Sequence, residues 1–591
     1  MSLVCGIFRL HSGAAVPEAW RAHLRIHLNR GSAGTVAEFD DGRLLLLQLD
    51  IGAFDAPGWS VGPHSVIALA GDAILRSAVE RRGRADDMAL LTELEPSKLR
   101  DSLAAARGYF NIAHFERGRQ RLVLAVDRVG VRSMYVYRDR DLVVFSGALR
   151  LIETLPGIRL TADLQGVLET ACFGVPLGDR TRYSEVRCMA GGTLQMIEGE
   201  RESFDRYWKF DRDACTGIAT NIDATLDELY SEFERAVALR VGRREAVFSA
   251  LSGGLDSRSV TTQLWQRGLR VHTLNVSWPG SQDEVLATLY AAKLGIAHHF
   301  EPRPLSEAGN SLAQRLYALI TAKGPLCPDL PSTPRQMWSG NGGSLGLGHT
   351  KMTREATVLL NAGDTAGAAR HFLNATRFRL SGKLLRDGYA RWAEGLPFAS
   401  LVAELAGLSC AEPARALYVF RMEHDQRRLL AFHFEQIDLV PFEFIEPLFD
   451  PEVLAIVCRL PMDFCLYHHM YHQWLERFPP EVGSVAWQVY PGHEPCPVAL
   501  PPGAFDQWNP LQRVGRARIS RDALHGAWEY LSRWKRYRAL LRTDRVLAAY
   551  FMRALQLRDT SHLLKQVELL DTALGRTASR FDIPHSMRRA G

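Results

Sequence analysis

The residues best suited to chemistry are Ser252-Gly253-Gly254-Leu255-Asp256-Ser257. Two hydroxyls, two glycines and a carboxylate in one short stretch suit an anion held beside a cation. Ser252 and Ser257 can donate hydroxyls to phosphate oxygens, and Asp256 can hold Mg2+ next to them. No Gly-Lys-Ser/Thr follows the glycines. That excludes the common nucleoside-triphosphate loop, which needs that lysine and hydroxyl.

The flanks indicate the elements that must position this group. Val247, Phe248 and Leu251 form an apolar run too short for a helix, which predicts a buried strand. The glycines permit a tight turn and a close approach of ligand to backbone. Beyond Asp256, Val260, Leu264 and Trp265 fall on one side of a helix. A strand passing through glycines into a helix N-terminus gathers unpaired N–H groups at the positive end of the helix dipole, which makes an anion site. A turn that merely needs small residues is the plainer alternative.

In this setting the Ser-Gly-Gly-Leu-Asp-Ser pattern resembles the pyrophosphate loop of the ATP pyrophosphatases, the PP-loop family. The resemblance implies ATP and Mg2+ as cofactors and cleavage between the α and β phosphates. It also implies an acyl-adenylate, with Ser252, Gly253, Gly254 and Ser257 holding the pyrophosphate and Asp256 the metal.

Alternating α/β signals continue downstream. Val271 to Val276 predicts a second buried strand, Ser281 caps a helix running to Leu294, Gly295 ends it, and His298 to Glu301 is extended. Such alternation predicts a doubly wound parallel sheet, whose ligands sit at the carboxyl ends of its strands. Leu274 and Val276 are then expected to wall the adenine and ribose. A second glycine cluster, Trp338 to Gly346, resembles the family's second nucleotide loop at Ser339, Gly340 and Gly342. It carries Asn341, Ser344 and Leu345 where that loop has acids. Ser339 and Gly340 are expected to contact nucleotide; a flexible loop is the alternative.

Residues 1 to about 205 show short strand-like runs at Leu44–Leu49, Val66–Ala70, Tyr109–Phe115, Arg121–Val126, Met134–Tyr137 and Leu142–Phe145. Helical pieces are predicted at Pro17–Leu28 and Met88–Leu94, which gives two packed sheets with few helices. The opening Val4-Cys5-Gly6-Ile7-Phe8, with Asn29-Arg30-Gly31, Gly71-Asp72 and Asp127 to Arg132, resembles the class II glutamine amidotransferases. In that family a terminal cysteine attacks glutamine, with its own α-amine as base. Cys5 fits that role only if N-terminally exposed, and Ala70 stands where the family has an asparagine. Both an inactive and an active glutaminase therefore stay open.

A linker is expected at 209–220 and a helix at Asp223–Leu239. From Ala356 onward the periodicity is helical. Glu446-Pro447-Leu448-Phe449-Asp450 resembles a family turn that closes over the acyl-adenylate. Tyr418 to Arg428 reads as a charged helix, ordinarily a solvated face and otherwise one aimed at a carboxylate substrate. Trp487 to Pro497 crowds Trp, Tyr, His and Cys among prolines, so it cannot be helical; a pocket wall and a rigid surface loop are equally good readings. No lysine lies between Lys383 and Lys535, where relatives use one in acylation, so His493 or an arginine is expected to take that role. Residues 510 to 570 predict basic, aromatic-rich helices that pack on the domain.

At 591 residues the chain exceeds one core, and 47% hydrophobic with 23% charged residues is ordinary for a globular protein. A net charge of +5 over that length is too weak to argue for nucleic-acid or membrane partners, and neither is expected. No apolar run approaches the ~20 residues of a bilayer span, no leader opens the chain, and nine cysteines lack Cys-x-x-Cys spacing. A cytoplasmic protein is expected.

The whole predicts an α/β protein. An N-terminal α+β sandwich, glutaminase-like, at 1–208 precedes an asparagine-synthetase-like PP-loop domain at 220–591 with extra C-terminal helices. Resemblance to the asparagine synthetase family implies ATP-dependent amide formation through carboxylate adenylation, with glutamine or ammonia as nitrogen donor. The alternatives are intramolecular lactam formation, as in the β-lactam synthetases and lasso-peptide cyclases of that family, and a nucleotide-binding scaffold without turnover. The substrate would be a small-molecule or peptide carboxylate.

Overall fold

The computed structural model describes residues 2–582 except 32–33, 76–80, 82, 95, 304–314, 317, 320–334, 377–379, 441, 507–515 and 575–580. Contacts divide the chain into two units. One holds Met1–Pro156, Met189–Thr350 and Cys410–Gln507; the other holds Gly157–Cys188, Lys351–Ser409 and Trp508–Gly591.

The first unit begins with β1 (Ser2–Arg9), β2 (Thr35–Asp40), β3 (Leu44–Asp50), β4 (Trp59–Val61) and β5 (Ser65–Asp72). Next come β6 (Tyr109–Glu116), β7 (Arg121–Val126), β8 (Tyr135–Arg138), β9 (Leu142–Ser146), β10 (Thr193–Glu198) and β11 (Arg201–Arg206). They form two antiparallel sheets, β8-β9-β1-β3-β2 and β11-β10-β7-β6-β5-β4. Side chains alternate along a strand, so Val4 and Phe8 of β1 and Leu44 and Leu46 of β3 meet Val66 and Ala68 of β5, Phe115 of β6 and Leu124 of β7 in one buried core. The expected strands and the two helices, α1 (Glu18–His27) and α2 (Arg84–Glu93), are present. The stretch 209–220, expected as a linker, instead forms a π-turn at Phe210–Ala214. Phe210, Ala214 and Cys215 are buried there, because the apolar side chains outweigh the local polarity.

Then follow α3 (Ile222–Val241), capped by Asn221, β12 (Ala246–Ala250) and α4 (Leu255–Gln266). After them come β13 (Arg270–Ser277), α5 (Gln282–Leu294), β14 (Ala297–Pro302), β15 (Gln336–Trp338) and β16 (Glu443–Ile445). The sheet order β14-β13-β12-β15-β16 is parallel throughout, with β12 at its centre. Ser281 accepts the N–H of Glu284 and Gly295 closes α5 at φ 65°, as the cap residues dictate.

Asp450 ties the sandwich to this sheet. Fully buried, it caps the helix Pro451–Arg459 and accepts hydrogen bonds from Arg107 (2.8 Å) and Arg240 (2.8 Å). Burial pushes its carboxyl up, but the two guanidiniums overcome that and hold it below the usual carboxylate range. The stretch from Tyr418 to Arg428 is not the solvated face its charges suggest. Arg421, Arg427 and Arg428 are buried, and Arg427 donates to the carbonyls of Gly130 (2.8 Å) and Met189 (2.5 Å). Guanidiniums satisfied by carbonyls can be buried where lysines could not.

The second unit is largely helical. Leu164–Phe173, capped by Asp163, packs with Trp392–Ala406 and Ser561–Leu574, while Arg516–Ser532 packs on Thr543–Ala554. Its buried Glu169 pairs with Arg180 at 2.7 Å.

Candidate active site

The loop between β12 and α4 folds around its own donors. Ser252 N–H donates to Ser257 Oγ (2.9 Å), Gly253 N–H to Asp283 Oδ1 (2.9 Å) and Gly254 N–H to Ser252 Oγ (3.2 Å). Three consecutive N–H groups at a helix N-terminus are thus met by oxygens that a phosphate oxygen can replace. Asn275 on β13 fixes the loop from the side, donating to Leu251 O (2.7 Å) and Asp283 O (3.3 Å).

Asp256 lies in the first turn of α4, half-buried, with an oxygen on each of two hydroxyls: Ser344 Oγ (2.6 Å) and Tyr471 Oη (2.8 Å). Burial pushes its pKa up to about 6, against the pull of the two donors. The second glycine loop rests directly on this turn. A Cβ at Gly340 would lie 2.4 Å from Ser257 N, and one at Gly343 2.5 Å from Asp256 Oδ1. Glycine is therefore required where the two loops touch. Ser339 Oγ accepts Asn341 N–H (3.1 Å), and the Asn341 amide donates to Glu446 Oε1 (3.1 Å). Glu446 is fully buried, and its pKa is pushed up to about 8 by that burial.

The segment from Val482 to Pro497 forms a wall of the site. Arg258, buried in α4, donates to the carbonyls of Val482 (3.0 Å), Val485 (2.6 Å) and Ala486 (2.8 Å), and stacks 4.4 Å over Tyr290. Gln488 N–H then donates to Gly253 O (2.9 Å), and Tyr490 Oη to Ser344 Oγ (3.4 Å). His493 packs 4.4 Å from His468 and 5.6 Å from Tyr490. Burial, reinforced by His472, holds its pKa below the ordinary imidazole value, so at neutral pH it offers a neutral ring rather than a charge.

The fold thus gathers Ser252, Gly253, Gly254, Asp256, Ser257, Ser339 and Gly340 in one place. Leu274 is buried in β13, its carbonyl taking the Leu251 N–H at 2.9 Å, and Val276 is half-buried two residues on. Cys5 lies elsewhere, in mid-strand between Leu47 and Ser146, and burial pushes its thiol up to about 12. Three residues along β3 from Leu47, Asp50 is held by the buried Arg84 at 2.6 Å. Sequence reasoning missed Asp283, Asn275 and Tyr471 as site residues, and named Glu446 only within a family turn. Asp283 was legible as a first-turn acid of α5; Tyr471 lies 215 positions from its partner and left no local signal.

Asp256 offers hard oxygen ligands beside a phosphate-type loop, and Mg2+ characteristically takes one or two carboxylates plus phosphate oxygens. Among the described residues no cluster of three or more His, Cys, Asp or Glu is arranged for a metal. Asp256 is the residue that would hold a Mg2+ carried in with phosphates.

An antiparallel two-sheet sandwich followed by a parallel sheet with this loop defines a mixed α/β protein. The glutamine amidotransferase domain family matches residues 75–208, and the asparagine synthase family matches residues 228–317. A curated protein, asparagine synthetase [glutamine-hydrolyzing] 3 of Bacillus subtilis (strain 168), is 24% identical over 192 residues. That alignment covers 32% of this chain and 31% of that protein, so the chain matches less than a third of its relative's length. The two domain matches lie in this order along the chain, which in these stretches is similar to the asparagine synthetases. Two solved structures are also similar. Glutamine phosphoribosylpyrophosphate amidotransferase from B. subtilis, complexed with ADP and GMP, is 12% identical, covering 53% of this chain and 70% of that one with a TM-score of 0.25. The allosteric regulatory enzyme of purine biosynthesis is also 12% identical, covering 57% and 74%, again with a TM-score of 0.25. At those scores neither bears on the arrangement described above.

Proposed function

We propose that this chain is an ATP-dependent carbon–nitrogen ligase that joins a carboxylate to an amine through an acyl-adenylate, with pyrophosphate and AMP released. The observation that carries this reading is the set of three N–H groups of Ser252, Gly253 and Gly254, all satisfied by exchangeable side-chain oxygens, beside the carboxylate of Asp256. Phosphate oxygens would take over those donors from Ser257, Asp283 and Ser252. Mg2+ bound there would neutralise charge on the phosphates as pyrophosphate departs. Ser344 and Tyr471 hold the Asp256 carboxylate in one orientation. The Val482–Tyr490 wall limits water around the reacting phosphate, which strengthens these interactions. Ser339 and Gly340 would line the nucleotide, with Leu274 and Val276 behind it.

The amine in this reading is free ammonia or an amine already carried by the substrate, as in intramolecular lactam formation. The thiol of Cys5, buried within a strand and protonated far above neutral pH, is not a nucleophile in this arrangement. Glutamine as donor is the second reading, favoured by the amidotransferase family match over residues 75–208. The test is pyrophosphate release with a panel of carboxylates for the wild-type chain and Asp256→Ala, with ammonia, glutamine or no added amine. ATP-dependent product formation that survives Asp256→Ala ends the proposal. Glutamate release from glutamine that Cys5→Ala abolishes would replace the first reading of the amine with the second.

A further inference from the structure

A cleft of about 1100 Å3 opens at the opposite end of the parallel sheet from the Ser252–Ser257 loop. Its floor includes Ala246 and Val247, the first residues of β12, whereas the loop leaves the other end of that strand. Five residues of strand put the two ends roughly 15 Å apart.

The cleft carries positive charge that the protein does not neutralise. Arg81 on its wall is paired with Asp87 at 3.0 Å and with Asp72, and Arg240 with Asp450. Arg243, Arg244 and Arg335 differ. Arg244 donates to the carbonyls of Val241 (3.0 Å), Ala53 (3.4 Å) and Arg240 (3.5 Å), and Arg335 donates to that of Ile51. Carbonyls satisfy hydrogen bonds without cancelling charge. Arg243 is exposed, and none of these three has a carboxylate at ion-pair distance among the described residues. Burial draws the pKa of Arg244 below its ordinary value, against the pull of Asp72 and Asp55 and reinforced by Arg81.

Two polar atoms of the lining residues are also buried without a partner: Trp338 Nε1, a donor, and Gln336 Oε1, an acceptor. Trp338 is fully buried and Gln336 is 9% exposed. Buried polar atoms are rarely left unpaired unless a ligand or water meets them. The guanidiniums call for planar or tetrahedral oxyanions. The acids Asp55 and Asp86 on the same lining disfavour a long polyphosphate and favour a compact ligand.

We propose that this cleft is a second ligand site, for a small organic anion with two or more negative charges, bound by Arg243, Arg244 and Arg335. Carboxylate and phosphate ester share this chemistry, and the experiment distinguishes them. The full-length chain is titrated calorimetrically, without Mg2+, with citrate in one arm and ribose 5-phosphate in the other. The expected result is saturable binding of at least one probe. A Kd roughly ten- to hundredfold weaker is expected in Arg243→Glu/Arg335→Gln, the range set by the loss of charge-assisted hydrogen bonds. Arg243→Glu alone, at an exposed side chain that leaves the fold intact, should weaken binding severalfold. Asp256→Ala should bind as wild type does. Saturation by citrate alone identifies a carboxylate site, and saturation by ribose 5-phosphate alone a phosphate site. The proposal falls if neither probe binds, if Arg243→Glu binds both like wild type, or if Asp256→Ala abolishes binding.

Discussion

Removing either hydroxyl that faces Asp256 should shift the pH dependence of catalysis upward. The carboxylate titrates at about 6, held there by Ser344 Oγ at 2.6 Å and Tyr471 Oη at 2.8 Å against the cost of desolvation. Both groups donate to the charged form, so deleting one destabilises that form and raises the pKa. A hydrogen bond to an ionised group contributes about 1.5–3 kcal/mol, which corresponds to roughly ten- to hundredfold in the ionisation constant. At neutral pH the wild-type carboxylate is mostly ionised and can hold a cation; in Tyr471→Phe or Ser344→Ala about half or less would be. The assay is kcat/KM for ATP-dependent pyrophosphate release from about pH 5 to about pH 9, which reports the free enzyme's ionisation. Wild type should rise with a midpoint near 6. The variants should lose activity at neutral pH and regain it in alkali. Midpoints that stay in place or move down in both variants would refute the reasoning. The same burial bears on stability. A folded-state pKa raised from 3.8 to about 6 gives stability that is full in acid and lost as pH rises through that window. Asp256→Asn should remove this decline in urea titrations.

Asp450→Asn strips the shared carboxylate from Arg107 and Arg240 and leaves two buried guanidiniums facing each other; a loss of about 3–5 kcal/mol is expected from denaturant unfolding. Because the folded pKa of Asp450 is depressed, its stabilisation is present above the ordinary carboxylate value and is lost as pH falls through the folded one, so wild type should lose in strong acid a stability that Asp450→Asn never had. Arg258→Ala leaves the carbonyls of Val482, Val485 and Ala486 unmet, which should cost about 2–4 kcal/mol and raise KM for ATP as the Gln488–Gly253 contact loosens; an unchanged melting curve would contradict the wall assigned to that segment. Cys5, buried with its thiol pushed up to about 12, should resist iodoacetamide in the native chain and react once the chain is unfolded, read by peptide mass spectrometry.

Much of the first unit was legible because short-range physics controls it. Val247, Phe248 and Leu251 before two glycines can form little but a buried strand and a turn, and Ser281 with Gly295 fixed both ends of α5. The strand Ser2–Arg9 was not among the runs read from the sequence, and its partners β3 and β9 emerge only from the fold. The loop's anion-binding character followed from hydroxyls and glycines at a helix N-terminus, which no distant residue supplies.

What the tertiary structure alone decided is who meets Asp256. Its neighbours Ser344 and Tyr471 come from positions 88 and 215 residues away, and their spacing along the chain carries no trace of the contact. The same holds for the arginines at 421 and 427, which meet the carbonyls of Thr350, Gly130 and Met189. Their charge predicts water locally, yet carbonyls on distant turns allow them to be buried. It holds too for residues 157–188, which gather with 351–409 and 508–591. A sequence states which groups can hydrogen-bond and where the chain must turn. Which donor reaches which acceptor depends on the packing of apolar faces far apart in the chain, and so does whether a charge ends in water or against a carbonyl.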